Sequence, residues 1–270
     1  MIGKAGLWHY KAASALLLDT YTGAGVAYSV ARKLRSAYTG SAIRVRRLND
    51  NSEQDIGFDG SGNLDESALT SFVGSNNASV VTIYDQSGNG YNLERSIGTS
   101  NRIVESGTIY KINGRVAYKN NGDFFRRLST PMSASISPSG QSYVIASTEF
   151  DGSVQQYLYA HSVTSGIALN SGGGSIDFFV FNNSFDYFYV VPTSYDFPAG
   201  RNIFEVQFGG SEDYRLNGSQ AFDSIDNVTG TFSSGNAQII TQFNQELIVW
   251  PSVQSSNRSG IYTNVSDYYN

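Results

Sequence analysis

Apolar residues recur every four positions at Val26, Val30 and Leu34, a spacing that predicts a short amphipathic helix from Val26 to Leu34. Arg32, Lys33 and Arg35 then fall near its C-terminal end, where cations complement the helix dipole. Ile43-Arg44-Val45-Arg46 alternates apolar and basic, the pattern of a strand with one wet face, so Arg44 and Arg46 point the same way. Held apart from acids they would grip a carboxylate or an anionic glycan. With Asp50, Glu53 and Asp55 close by, ion pairing is the preferred reading. Asn63 reads as the N-cap of a second helix, with Asp65 and Glu66 in its first turn, Leu64, Ala68, Leu69 and Phe72 on one face, and Gly74 as its stop. Val80–Tyr84 is β-branched and apolar, as a buried strand is, and runs into the turn Asp85-Gln86-Ser87-Gly88-Asn89-Gly90.

After Asn101 the pattern becomes all-β. Strands are expected at Ile109–Ile112, Arg115–Lys119, Phe124–Leu128, Ser142–Phe150 and Gln156–His161. Others follow at Ser175–Phe181, Phe185–Val191, Asn202–Phe208, Asp213–Leu216 and Gln245–Trp250. Asn113-Gly114 and Asn217-Gly218 lie between apolar runs and predict two-residue hairpins. The tail, Val253 to Tyr268, returns to helical character, with Ile261 and Val265 on one face. The organisation expected is an N-terminal arm over 1–18, carrying Trp8, His9 and Tyr10, and a single domain over 19–270.

Composition narrows the chemistry. The 270 residues contain no cysteine, which removes disulfides, thiolate metal sites and cysteine nucleophiles. Two histidines, His9 and His161, have no close sequence partner and do not make a histidine metal centre. A net charge of −5 gives no general attraction to nucleic-acid phosphates, and no apolar run is long enough to enter a membrane as a spanning helix. Ala12–Leu18 is interrupted by Ser14 and closed by Asp19, so no signal peptide is expected; export would depend on release by lysis. The 18 Tyr and 16 Phe, set among many Gly, Ser and Asn, suit shallow contacts with glycans or neighbouring proteins. Clusters such as Phe178–Phe188 and Tyr195–Phe197 exceed what one sandwich face needs, and imply an oligomer interface beside ordinary packing.

Four segments resemble the catalytic domain of α-L-arabinofuranosidase B, glycoside hydrolase family 54: Ser36–Arg47 (SAYTGSAIRVRR), Gln54-Asp55-Ile56, the capped helix ending at Phe72, and Val80–Leu93 (VVTIYDQSGNGYNL). Tyr-Asp-Gln-Ser-Gly is the most distinctive of these. The resemblance implies a mainly β fold: a concanavalin A-like jelly-roll sandwich of two antiparallel sheets with a few short helices. The tail Gln245–Asn270 is similar to the closing strand and helix of concanavalin A-like, laminin-G-like modules of phage and bacterial surface proteins.

A retaining glycosidase needs two facing carboxyl groups. The resemblance implies that one lies in a turn shortly before the last strand, where this chain has Gly230–Ala237 with no carboxylate. The family's site also has a vicinal disulfide against the sugar, which a chain without cysteine cannot make. Glu149, Asp151, Asp177, Asp186, Asp196, Glu205, Glu212, Asp213 and Glu246 remain as carboxyls in no matching segment, so no catalytic residue is assigned. Asp85 would serve as a ligand or Ca²⁺ contact, or else as the acceptor of an Asx-type turn in which Gly88 supplies the unusual dihedrals; the structural turn is preferred and no cofactor is expected.

The leading expectation is therefore a non-enzymatic bacteriophage virion protein, a fibre, tail or capsid-decoration subunit. Its partners would be other virion proteins, copies of itself in a trimer, and host surface glycans. The alternatives are an arabinofuranosidase-like glycoside hydrolase and a free carbohydrate-binding module.

Overall fold

The computed structural model describes residues 15–95, 101–119, 125–130, 142–149, 156–162, 165–172, 175–181, 187–189, 200–208, 213–220, 237–241 and 244–270. The segment Leu17–Thr20 (α1) leads into strands Val26–Ser29 (β1), Ile43–Arg47 (β2) and Glu53–Ile56 (β3). Helix Glu66–Val73 (α2) precedes Ala78–Ile83 (β4), Leu93–Arg95 (β5), Arg102–Glu105 (β6), Thr108–Ile109 (β7), Lys111–Ile112 (β8) and Arg115–Val116 (β9). Then come Phe125–Thr130 (β10), Ser142–Glu149 (β11), Gln156–Ser162 (β12), Ser165–Gly172 (β13), Ser175–Phe181 (β14) and Tyr187–Tyr189 (β15). The chain closes with Arg201–Phe208 (β16), Asp213–Leu216 (β17), Ser219–Gln220 (β18), Ala237–Thr241 (β19), Glu246–Trp250 (β20) and helix Arg258–Tyr269 (α3).

Two antiparallel sheets dominate, which bears out the expected sandwich. One has six strands in the order β1-β20-β11-β16-β17-β18. The other has twelve, running β15-β14-β13-β12-β19-β10-β5-β4-β2-β3 with β6 and β7 beside β4. Between them lies a core that takes Val26, Tyr28, Val144, Val206 and Val249 from the first sheet, and Ile43, Val45, Val80 and Ile83 from the second. The outer face of the six-stranded sheet is also buried: Ala27, Tyr143, Ile145, Ile203, Ile248 and Trp250 pack beneath Leu17, Leu18, Ile261, Val265 and Tyr269 of α1 and α3. The Trp250 indole N–H donates to the Tyr21 carbonyl at 3.1 Å, fixing the entry to the domain against the last strand.

That double burial explains why the four-residue spacing at Val26, Val30 and Leu34 does not mark a helix. Val26–Ser29 is a strand paired with β20, not a helix, and all four of its residues are buried. A strand covered on both faces is apolar at every position, so a spacing of four carries no helical meaning. The second helix does form, but its N-cap is Asp65 rather than Asn63: the Asp65 carboxylate accepts the Ala68 N–H at 2.9 Å. Glu66 pairs with Lys111. Both Asn-Gly turns have the paired positive φ angles that a two-residue hairpin demands, 49° and 75° at Asn113-Gly114 and 51° and 80° at Asn217-Gly218. They join β8 to β9 and β17 to β18. The tail helix is present as α3. The arm residues Trp8, His9 and Tyr10 lie outside the described residues, as does the Tyr195–Phe197 cluster.

Arg32 ties these layers together. Its guanidinium donates to both oxygens of Glu246, from Nε at 2.8 Å and Nη2 at 2.7 Å, with 9% and 1% of the two side chains exposed. A third bond runs from Nη1 to Asn264 Oδ1 at 2.8 Å, and the Tyr268 ring lies 4.6 Å from the guanidinium carbon. The Tyr269 hydroxyl donates to Glu246 Oε2 at 3.1 Å. Burial alone would disfavour the Arg32 charge; the Glu246 carboxylate more than offsets it and holds the guanidinium protonated. Arg32→Ala is expected to lower stability by about 3–5 kcal/mol, because it strands a buried carboxylate. Urea unfolding checks this; an Arg32→Met/Glu246→Met double variant should recover most of the loss, and a single-variant cost below about 1 kcal/mol would show that the pair does not hold the layers.

Candidate functional site

Asp85 closes β4 onto β1. Oδ1 accepts the Ala27 N–H at 3.0 Å and the Ser87 N–H at 2.9 Å; Oδ2 accepts the Ser87 hydroxyl at 2.8 Å and the Tyr91 N–H at 3.0 Å. Gln86, fully buried, accepts the Leu34 N–H at 2.8 Å and donates to the Arg32 carbonyl at 3.1 Å. Gly88 has φ +98°, and a Cβ there would collide with the Arg35 guanidinium, which donates to the Ser87 carbonyl at 2.6 Å. The groups around Asp85 are thus N–H and O–H donors, whereas a hard cation needs oxygen acceptors. This is the geometry of an Asx turn that staples two sheets.

The basic strand is likewise matched internally. Arg44 makes a two-pronged bond to Asp55 at 2.8 and 2.9 Å, and Arg46 pairs with Glu53. Bonds from Arg44, and then from the Tyr84 hydroxyl, hold the Asp55 carboxyl below the usual carboxylate range.

Two further groups of polar residues hold carboxyls not consumed in this way. The first lies where β11 ends and the chain enters β20. Glu149 Oε2 accepts the Tyr110 hydroxyl at 2.7 Å, and the Glu149 N–H donates to Asn244 Oδ1 at 3.0 Å. The Thr148 hydroxyl also reaches Asn244 Oδ1. Asn244 Nδ2 donates to the Tyr118 carbonyl at 3.0 Å, and Gln245 Nε2 to the Ile112 carbonyl at 3.2 Å. Both amides are buried, so the half-buried Glu149 stands on a rigid polar floor immediately before the last strand.

The second is a cleft of about 380 Å³ between the β16–β17 pair and α3. Glu205, 2% exposed, accepts the Tyr143 hydroxyl at 2.6 Å on Oε1, which is 3.8 Å from Arg258 Nε. Its Oε2 is buried without a hydrogen-bond partner. Asp213, on the neighbouring strand, is paired with both Arg258 and Arg215. Desolvation pushes the Glu205 carboxyl above its ordinary value, against the pull of the Tyr143 hydroxyl and Arg258.

Residues 18–119 match the family model for the catalytic domain of α-L-arabinofuranosidase B. The match is confined to the N-terminal region. Among curated proteins, the α-L-arabinofuranosidase B of Aspergillus oryzae (strain ATCC 42149 / RIB 40) is 33% identical over 115 residues, covering 37% of this chain and 23% of the relative. A probable α-L-arabinofuranosidase B of Aspergillus flavus matches to the same extent. A solved GH54 α-L-arabinofuranosidase, soaked with a cyclic sulfate inhibitor, superposes over 92% of this chain and 64% of its own with a TM-score of 0.67 at 16% identity. An arabinofuranosidase complexed with arabinofuranosyl-α-1,2-xylobiose gives 0.64 at the same identity and coverage. The chain therefore spans under a quarter of the curated relatives' length, and the solved structures extend the shared fold across the β-rich remainder.

These findings overturn the expectation of a phage virion protein without catalytic activity. The family model and the curated relatives match arabinofuranosidases over the N-terminal region, and the solved arabinofuranosidases share the fold. The tail that suggested a surface module forms β20, the last strand in sequence of the six-stranded sheet, and the helix α3 that covers that sheet. Of the nine carboxyls left open by sequence, Glu246 is consumed by Arg32, Glu149 lies at the strand end, and Glu205 and Asp213 share the cleft. Asp151, Asp186, Asp196 and Glu212 lie outside the described residues, as do residues 230–236 and the side chain of Asp177. No sequence signal distinguished Glu149 or Glu205, because each is set by strand pairing between distant segments.

Asp85→Ala is expected to lower the urea midpoint by the equivalent of about 3 kcal/mol with an unchanged m-value, since four donors lose one charged acceptor. A pH series tests Glu205. A carboxyl raised in the folded state binds its proton more tightly there than in the unfolded chain, so its contribution is present at low pH and is lost as pH rises from about 4.5 through the raised value. Glu205→Gln should therefore flatten the decline of stability between acid and neutral pH; an unaltered slope would contradict it.

Proposed function

We propose that this chain is a glycoside hydrolase of the α-L-arabinofuranosidase B kind, releasing arabinofuranosyl groups from oligo- or polysaccharide. The observation that carries the proposal is the match of residues 18–119 to the catalytic-domain model, a region that supplies strands to both sheets. Sharing of the sandwich over 92% of the chain supports it. Hydrolysis with retention needs a nucleophile and an acid/base carboxyl on opposite sides of the glycosidic bond. Glu149 is proposed as one of the two: it is oriented by the Tyr110 hydroxyl and lies beside Asn244, directly before the last strand. Without cysteine, the wall facing the sugar is built from other side chains than the vicinal disulfide of the family.

Release of 4-nitrophenol from 4-nitrophenyl α-L-arabinofuranoside tests the reading. The folded chain should turn it over, and Glu149→Gln should lower kcat/KM by about 10²–10⁴ with an unchanged melting temperature. Absence of release from this substrate and from arabinose-bearing polymers by folded protein would contradict the hydrolase; full activity in Glu149→Gln would remove Glu149 from it.

A further inference from the structure

The cleft under α3 is on the outer face of the six-stranded sheet, separate from the Glu149 end, and its chemistry is that of a binding site. We infer that it holds a neutral glycosyl residue, one of whose hydroxyl groups donates to Glu205 Oε2. Glu205 is buried on the floor, its Oε1 is bonded to Tyr143, and its Oε2 has no partner. A buried acceptor left unmade costs about 1–3 kcal/mol, which a hydroxyl donor in the cleft would recover.

The charges select among donors. Arg258 and Arg215 both flank Asp213, so with Glu205 ionised the two acids and two guanidiniums balance. A cationic ligand would meet two arginines, and an anion would meet the Glu205 oxygen that it cannot satisfy. A neutral polyol meets neither objection, and it finds further polar groups in Gln207 and Ser255, which line the cleft and bond each other at 3.0 Å.

One wall is aromatic. Tyr262 of α3 lies against Gly218, where a Cβ would come within 2.7 Å of the ring, so glycine at this turn leaves room for the ring. Gly218 also carries φ +80°, so the hairpin and the close approach demand the same residue. An aromatic ring beside hydrogen-bonding groups, in a space of about 380 Å³, suits one sugar unit.

This inference does not rest on hydrolysis, and its test reads binding by place. The ¹⁵N-labelled chain is titrated with L-arabinose, D-xylose and D-galactose, each to about 100 mM, a range that captures millimolar affinity. At least one sugar should give saturable amide shifts at Gly218, Ser255, Ser259 and Tyr262, and Glu205→Gln and Tyr262→Ala should each weaken that binding about tenfold or more. Both variants are first shown to keep the wild-type fold by their amide spectra; Tyr262→Phe, which retains the ring, should bind as wild type does and stands in if Tyr262→Ala unfolds. Shifts confined to residues around Glu149 and Asn244, saturation by acetate or phosphate in place of sugar, equal binding in both variants, or no saturable shift with any sugar would each overturn it.

Discussion

The ion pair between Arg32 and Glu246 joins the two ends of the chain, and the rest of the structure depends on it. Arg32 follows β1, the edge strand of the six-stranded sheet, and Glu246 opens β20, the strand that β1 pairs with. Asn264, Tyr268 and Tyr269 then bring α3 onto the same guanidinium. A buried pair of this kind is not in itself a large source of stability, because desolvation offsets most of the attraction. Its contribution is specificity: each partner is intolerable without the other, so the register of β1 on β20 and the seating of α3 are set together.

That constraint bears on how the family match is understood. The matched residues 18–119 do not form a self-contained unit. They supply β1 to one sheet and β2 through β7 to the other, and the partner of β1 comes from near the C-terminus. Asp85 and Gln86, in the motif most distinctive of the family resemblance, bond the backbone of residues 27–34 and so hold the two sheets in register. A sequence that preserves this motif preserves the junction between sheets. The superposition over most of the chain at only 16% identity shows that the backbone of the sandwich is shared well beyond the matched residues.

Much of the fold was legible in the chain. The Asn-Gly hairpins, the basic strand with its acidic partners, and the tail helix follow from local chemistry. β1 was hidden because burial on both faces erases alternation. The Asp65 cap was missed because Asn63, two residues earlier, offers the same chemistry. β13 (SGIALNSG) and β19 (AQIIT) were missed for another reason: they are short or Gly- and Ser-flanked, and are strands through the neighbours that pair with them on both sides. The candidate site was less legible still. Glu149, Tyr110 and Asn244 come from three distant segments, and the missing carboxylate in Gly230–Ala237 pointed away from an enzyme, whereas residues 18–119 match a catalytic-domain model.

A cyclic sulfate electrophile shaped as an arabinofuranoside tests the central claim most directly, since it reports a reactive carboxylate in a sugar-shaped site without requiring turnover. Intact-mass measurement of the folded chain after incubation should show one covalent adduct, and peptide mapping should place it on a carboxyl at or next to the β11–β20 end of the sandwich. An unmodified mass in folded protein, or an adduct scattered over surface carboxyls, would contradict the assignment of this chain as an arabinofuranosidase-type hydrolase.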